Sequence, residues 1–326
     1  MKRRATNKNL QHAKRSKTDE FFTQMVDIER ELCHYQYSFR GKVVYCNCDD
    51  PRISNFVRYF VDNFKQLGLK QLIASSYNDA INDLFHPAED ARGSYWVYQG
   101  ETDTYGQPIP VTPLPLRGNG DFRSSECLNL LDKADVVVTN PPFSLFRDFV
   151  GLLMRHNKEF LIIGNINAIT YKEIFTLIQE NKVWLGYNLG RGISGFIVPE
   201  NYELYGTEVK IDDDGKRIVA TNNCLWLTNL ENSLRHENIA LSKSYLGNES
   251  YYQRFDNCDG INVDKTQDIP KDYPGLMGVP ITFLHKYNPD QFEIVRFRKG
   301  NDGKDLRING KCPYFRILIR KKLASV

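Results

Sequence analysis

The chain has 326 residues, of which 41% are hydrophobic and 25% charged, and its formal net charge is only +3. That composition excludes a disordered chain, and the length calls for one large α/β domain plus a smaller module rather than a single small core. No run of about 18 apolar residues and no apolar stretch near the start are found, so neither a membrane span nor a signal peptide is expected.

In chain order, residues 1–18 read as a flexible basic arm. Lys2, Arg3, Arg4, Lys8, Lys14, Arg15 and Lys17 all precede the first acid, Asp19. A second basic set, Arg296, Arg298, Lys299, Arg316, Arg320, Lys321 and Lys322, lies near the end. Each cluster fits either phosphate neutralisation or a solvated surface. Residues 19–38 carry helix formers with scattered apolar positions, so a helix is expected. Lys42 to Pro51 is an apolar run that stops at Asn47-Cys48-Asp49-Asp50-Pro51, the way a buried parallel strand ends. Ile53, Phe56, Val57, Phe60 and Phe64 then recur with helical spacing over 53–66, and Gly68 closes that helix. Gln71 to Ser75 reads as a second strand, which completes a strand–helix–strand unit.

Residues 78–118 have no clear period and read as an inserted hairpin or mobile loop. Beyond Gly120-Asp121-Phe122 a helix is expected over 124–132 and a strand over 135–139. A helix over 144–156, a strand over 160–164, a helix over 170–181 and a strand over 183–186 follow. The Gly-, Asn- and Asp-rich stretch 188–222 is expected to connect two sheet edges, and Cys224 to Thr228 is a further strand. The alternation through 42–187 argues an α/β fold with a doubly wound, Rossmann-like sheet. Residues 231–326 lose that rhythm and read as a smaller, separate module. The domain expectation is therefore an arm 1–18, a catalytic domain 19–230 and a C-terminal region 231–326. The seven cysteines, Cys33, Cys46, Cys48, Cys127, Cys224, Cys258 and Cys312, form no C-x-x-C pair and no zinc-finger spacing. They read as buried thiols in a reducing cytosol, with no structural metal.

The sharpest chemical signal is Asn140-Pro141-Pro142-Phe143, directly after a strand of three valines. Ligands in an α/β sheet sit at the carboxyl ends of strands. Two prolines fix the backbone there. Asn140 offers a side-chain carbonyl and Pro141 a main-chain carbonyl, two acceptors able to hold one amino group, and Phe143 offers a flat face for a base. Accepting the protons of an adenine N6 frees its lone pair for attack on a sulfonium methyl, so positioning and electrostatics suffice without a strong general base. A [DNS]-P-P-[FYW] tetrapeptide arises by chance in roughly one chain of this length in a hundred. A rigid strand-to-helix turn is the bland alternative.

The tetrapeptide resembles the catalytic motif of amino-group DNA methyltransferases. Over nearly the whole chain the sequence resembles the EcoRI-type adenine methyltransferases. The segments that carry this are Lys17 to Gln24, Val43 to Pro51, Gly120 to Glu126, Val137 to Arg147, Trp184 to Glu208, Asn222 to Leu230, Met277 to Lys286 and Gly310 to Ile319. The resemblance implies S-adenosyl-L-methionine as cofactor. It places Phe21, Phe22 and Thr23 at the methionine end of that cofactor, where an aromatic face near a sulfonium is favourable; read alone, the two phenylalanines are core aromatics. Glu20 and Gln24 depart from the family's Gly and Pro at that segment. By position, Asn47, Cys48, Asp49 and Asp50 match the first cofactor motif, although its Gly-rich turn is missing. Asp49 or Asp50 would pair with the cofactor amine, or else the pair of acids simply favours a helix start. The second strand ends at Ser75 where the family carries a ribose-binding acid. Asp121 would accept from the cofactor adenine, with Phe122 against its ring.

Cofactor segments first, the tetrapeptide next and an unpatterned module last resemble the gamma order of this class. Residues 231–326 would then be a target-recognition module reading bases in the major groove of double-stranded DNA. Arg235, His236, Asn238, Arg296, Arg298 and Lys299 are contact types there, as is Arg254. Gly190 to Phe196, with Arg191 and Phe196, is either a loop at the DNA or a plain hairpin. Base flipping is implied, since a stacked adenine cannot reach Asn140. The resemblance further implies GAATTC with the inner adenine as target, a restriction–modification role with a cognate endonuclease, cytoplasmic location, and a monomer without an obligate protein partner.

The competing readings are weaker. Pro199-Glu200 with Glu208-Val209-Lys210 loosely fits a magnesium-dependent nuclease, but alternating charge on an edge strand explains it as well. An RNA or protein methyltransferase shares the tetrapeptide but leaves the large C-terminal module without a role. A dinucleotide oxidoreductase lacks its G-x-G-x-x-G, and a non-catalytic DNA-binding protein leaves Asn140 to Phe143 unexplained.

Overall fold

The computed structural model describes residues 22–78, 92–188, 193–198, 209–211, 215–220, 223–298, 306–312 and 315–322. The chain divides into two compact units, Met1–Ala168 with Asn188–Leu230, and Ile169–Tyr187 with Glu231–Val326. The fold is mixed α/β with several sheets.

Strand β1 (Phe22–Thr23) leads straight into helix α1 (Met25–Leu32) and a 3₁₀ stretch over Cys33–Phe39. The single helix expected over 19–38 is therefore replaced, within the described residues, by strand, helix and tighter turn. Strand β2 (Val43–Cys46) is buried at every position. Helix α2 (Asn55–Asp62) starts at Ser54, whose hydroxyl accepts from the amides of Phe56 and Val57, satisfying groups that a helix start leaves open. The expected helix over 53–66 breaks at Asn63 and resumes as α3 (Phe64–Leu67), which Gly68 ends in the left-handed region at φ 63°. Then come β3 (Gln71–Ser76), β4 (Ser94–Tyr98), β5 (Leu114–Pro115), α4 (Ser125–Lys133), β6 (Val136–Thr139), α5 (Phe146–Arg155) and β7 (Glu159–Asn165).

Of the stretch 78–118, the described part is an antiparallel extension of the sheet, with β4 on β3 and β5 on β4. Helix α6 (Lys172–Gln179) and strand β8 (Trp184–Leu185) fall in the second unit. The first unit resumes with β9 (Phe196–Val198), β10 (Val209–Ile211), β11 (Arg217–Val219) and β12 (Cys224–Thr228). The connector expected over 188–222 thus holds strands, and they form a separate sheet in the order β1-β9-β11-β10.

The main sheet of the first unit runs β5-β4-β3-β2-β6-β7-β12. Its middle pairs, β3–β2, β2–β6 and β6–β7, are parallel, and β12 closes antiparallel on β7. The chain winds from β2 outward to β3, then returns to β6 on the other side of β2. The order therefore reverses between β2 and β6, and the crevice at their carboxyl ends is where such sheets bind ligands. The core around these strands contains Val44, Phe56, Phe60, Val136, Val138, Leu161, Ile163 and Trp226, with the Phe56 ring edge-on to Trp226 at 6.0 Å. Each such side chain contributes roughly 1.5–3 kcal/mol by leaving water. Gly164 in β7 lies against the Phe146 ring, so a Cβ there would sit 2.5 Å from it. The residue that opens α5, four positions after Pro142, is thereby seated directly on the sheet.

In the second unit a further sheet runs β13 (Gly260–Asn262), β14 (Leu276–Pro280), β16 (Arg316–Lys321), β15 (Phe292–Arg298). The register of β15 shifts between Ile294 and Arg296. Gln179 of α6 donates to the carbonyls of Ile294 and Val295 at 3.3 and 2.8 Å, and Phe175 stacks on Phe297 at 4.9 Å. That packing accompanies the clustering of 169–187 with residues 231 onward. No described helix is long and apolar enough to cross a membrane.

Candidate active site

Two strand ends meet at the reversal point. Strand β6 is wholly buried and stops at Asn140 because the two prolines that follow supply no amide to a ladder. Pro142 has φ −55° and ψ 123°, and Phe143–Leu145 makes one 3₁₀ turn into α5. The side-chain carbonyl oxygen of Asn140 is buried. Phe143 is half-buried and lies edge-on to Phe196 at 6.2 Å.

Strand β2 ends in a turn built on Asp49 rather than on glycine. The Asp49 carboxylate accepts from Thr139 Oγ1 at 2.5 Å and from Ser54 Oγ at 2.7 Å, while its amide donates to the Ser75 carbonyl at 3.0 Å. One buried residue therefore ties the end of β2 to β3 through its amide, and to the start of α2 and the residue preceding Asn140 through its carboxylate. Burial pushes its pKa from 3.8 up to about 6, against the pull of the two hydroxyls. Tyr45 and Ser75 share a hydrogen bond of 2.7 Å between β2 and β3. Asn47 is buried and Cys48 half-buried, with the Cys48 thiol pushed well up by burial and then by Asp49. Asp50 is taken by Arg52, through Nε at 3.0 Å and Nη2 at 2.9 Å.

Gly120, at φ 82°, crosses the end of β3 so closely that a Cβ would lie 2.1 Å from the Ser76 carbonyl. This brings Asp121 and Phe122 beside the same strand ends. Asp121 accepts from Arg123 Nε at 2.9 Å and Nη2 at 2.6 Å, and that guanidinium holds its carboxyl below the usual range. Phe122 is buried edge-on to Phe149 at 5.1 Å.

Strand β1 pairs with β9, Phe22 opposite Ile197 and Thr23 opposite Phe196. The Thr23 carbonyl accepts from Asn55 Nδ2 at 2.8 Å, which ties β1 to the start of α2. Thr23 Oγ1 is buried with no hydrogen-bond partner among the described residues. Helix α1 fixes the approach to β9. Asp27 accepts from the amide and hydroxyl of Ser194 at 2.8 and 2.9 Å, Glu31 accepts from the Asn188 amide at 2.9 Å, and Gln24 donates to the Gly195 carbonyl at 2.9 Å. Burial raises the Asp27 pKa despite these bonds.

Of the expected cofactor residues, Phe22, Thr23, Asn47, Cys48, Asp49, Asp50, Ser75, Asp121 and Phe122 all fall in the first unit, as do Asn140 to Phe143. Phe21, Arg191 and Lys299 lie outside the described residues, as do Pro199, Glu200 and Glu208 of the nuclease reading. Phe196, expected at the DNA, is buried at 1% exposure. Arg235 is also buried. It stacks on Trp184 at 3.5 Å and pairs with Glu231 and Asn181. His236 is exposed, 2.7 Å from Glu231, and Asn238 accepts from Asn288 at 3.0 Å. Arg296 is exposed on β15, which Arg298 closes. Sequence reading missed Thr139, Ser54, Asp27, Glu31 and Arg123. Ser54 alone carried a local signal, a serine just before a helical apolar period.

The family described as adenine-specific methyltransferase EcoRI matches residues 9–322. The chain is 60% identical over 323 residues to the type II methyltransferase M.EcoRI of Escherichia coli, covering 99% of each. It is 38% identical over 332 residues to the type II methyltransferase M.MgeORF184P of Mycoplasma genitalium, covering 96% of this chain and 99% of that one. Identity to the type II methyltransferase M.MpnI of Mycoplasma pneumoniae is 37% over 328 residues, covering 95% and 97%. No solved structure matches. With its Asn-Pro-Pro-Phe turn at the reversal point of a parallel sheet and its whole length matched, the chain belongs to the EcoRI family of adenine-specific DNA methyltransferases.

Proposed function

We propose that the chain transfers a methyl group from S-adenosyl-L-methionine to the N6 amine of an adenine flipped out of double-stranded DNA, at Asn140 to Phe143. The observation that carries this is the buried β6 ending in the Pro-Pro turn beside the end of β2, at the point where the strand order reverses. Asn140 and Pro141 accept hydrogen bonds from the two N6–H groups through their carbonyls, which draws the nitrogen lone pair out of ring conjugation; as the N–CH3 bond forms and the S–CH3 bond breaks, the nitrogen loses one proton to solvent. Pro142 fixes the turn, and Phe143, packed on Phe196, gives the base a face. When bound, the cofactor supplies an electrophilic sulfonium methyl.

The residues present fit that cofactor. The buried, unpartnered Thr23 hydroxyl is left for a ligand, and Asn47, Cys48 and Ser75 gather at the same strand ends. Phe22 and Thr23 would hold its methionine end and Asp121 and Phe122 its adenine end. Phe21 belongs to the same segment. The acids Asp49 and Asp50 are engaged within the chain, which leaves the amine to the Thr23 side.

In this reading the first unit is a Rossmann-like methyltransferase domain and residues 231–326 a target-recognition module. His236, Asn238, Arg296, Arg298 and Lys299 contact DNA directly, whereas the buried Arg235 supports that surface through Trp184 and Glu231. The enzyme acts as a monomer in the cytosol, methylates the inner adenine of GAATTC, and guards it from a cognate endonuclease. The test is methylation of plasmid DNA by wild type beside Asn140→Ala, read by single-molecule sequencing. N6-methyladenine at GAATTC, absent in the variant, is the expected result. Methylation of another motif would overturn the target, and none from a folded, DNA-binding wild type would overturn the reaction.

A further inference from the structure

We infer that Asp49, in its ionised form, is a positioning residue for methyl transfer, holding the Asn140–Phe143 turn through the Thr139 hydroxyl. The inference rests on the proposed role of that turn. Among the described residues Asp49 is the buried carboxylate that joins the end of β2 to the end of β6. Its two oxygens each accept from a hydroxyl, and the hydroxyls come from different elements.

An ionised carboxylate suits this place, because it can accept from both hydroxyls at once. Ser54 Oγ already accepts from the amides of Phe56 and Val57, so its proton has to point at Asp49. An asparagine would turn its amide toward Thr139, which would have to rotate and accept instead. A protonated Asp49 would likewise donate to Thr139, which would have to turn its hydroxyl to accept. Among the described residues, the groups around it supply no cation. The thiols of Cys46 and Cys48 are pushed well up by burial and stay neutral. The outer carboxylates Asp50 and Asp121 are each paired with an arginine two residues on. Ser75 and Tyr45 add only hydroxyls. A buried charge kept without a cation, at a site where a neutral side chain of the same shape would avoid the burial cost, marks a functional rather than a stabilising choice.

The consequence is an acid limb in the chemical step. As pH falls through about 6, Asp49 takes up a proton, the bond to Thr139 reverses and turns that hydroxyl, and Asn140 and Pro141 lose register with the target amine. Misplacement by an ångström costs on the order of 10²-fold in rate. The experiment is single-turnover methylation of a GAATTC duplex by preformed enzyme–DNA complex, with saturating S-adenosylmethionine, from pH 5 to 8. It compares wild type, Asp49→Asn, Thr139→Val and Thr139→Ser, with calorimetric binding of S-adenosylhomocysteine alongside.

Expected for wild type is a rate falling about tenfold per pH unit below the limb. Asp49→Asn should be slower by about 10- to 100-fold, without the limb, and with cofactor-product binding changed less than about threefold. Thr139→Val should fall toward the same rate and Thr139→Ser should recover most of it, which keeps the proposal testable if Asp49→Asn does not fold. Wild-type rate and limb in Asp49→Asn, or equal rates in the two Thr139 variants, would overturn the proposal. So would lost cofactor binding with an unchanged single-turnover rate, which would make Asp49 a cofactor ligand. A wild type that binds DNA and cofactor but methylates no adenine would remove the reading of Asn140–Phe143, and the proposal with it.

Discussion

The turns that follow β2 and β6 lie side by side and are stiffened by opposite means. After β6 the backbone is fixed covalently, by two consecutive prolines and the immediate start of a 3₁₀ turn. After β2 it is fixed by hydrogen bonds that converge on one buried carboxylate. Covalent stiffness is insensitive to pH and to the neighbouring side chains. Hydrogen-bonded stiffness responds to both, so on the proposed role of Asn140–Phe143 that turn would inherit, through Thr139, the titration of Asp49.

The comparison is tested hardest at Asn140. Asn140→Ala removes an acceptor from a turn that the prolines still hold, so activity should fall by about 10²- to 10³-fold while the melting temperature stays close to wild type. A large loss of melting temperature would mean that the turn depends on its side chain rather than on its prolines.

The next effect is at Asp49 and is thermodynamic. A carboxyl whose folded pKa is raised is stabilised in its protonated form. Its contribution is therefore fully present at low pH and is lost as pH climbs from its ordinary 3.8 through about 6. Relative to wild type, Asp49→Asn should gain stability across that window, by up to about 3 kcal/mol, and the gap should be flat above pH 7. Denaturant titrations at pH 4, 5, 6 and 7 measure it. A gap that shrinks with rising pH would reverse the assignment.

A third probe reaches the β6 side from beneath. Gly164→Ala places a Cβ 2.5 Å from the Phe146 ring, which must move and take the start of α5 with it. Overpacking of this kind costs about 1–3 kcal/mol. The melting temperature should drop and methylation slow together, in contrast to Asn140→Ala. The smallest expected effect is at the rim of the β2 turn. Arg52→Ala breaks an exposed pair with Asp50 and should cost under about 1 kcal/mol, less at high salt.

How far the sequence spoke follows the same division. A run of valines ending in Asn-Pro-Pro-Phe is a local signal, because burial and the missing proline amides act within a few residues. The β2 turn was located but its chemistry was not. Two adjacent acids looked alike in sequence, yet one is buried on Thr139, far along the chain, and its neighbour pairs with nearby Arg52. The sheet over 193–219 was invisible for a similar reason. Its strands are three residues long, two of them carry a Lys or an Arg, and their pairing is non-local. Asp27 and Glu31 carry no local signal, and only their distant partners Ser194 and Asn188 explain why they are buried.

The pairing of β1 with β9 also sets a timetable for synthesis. Gln24 meets Gly195 across 171 residues, so β1, although already tied to Asn55, has no strand partner until β9 has left the ribosome. Contacts this distant close late, after local helices and neighbouring strands have formed. A nascent chain halted before β9 would already hold the Asn-Pro-Pro-Phe turn but not the closed segment around Thr23. Products truncated before β9 would then lack the closed segment around Thr23, and competence to methylate would arrive only once β9 has been made.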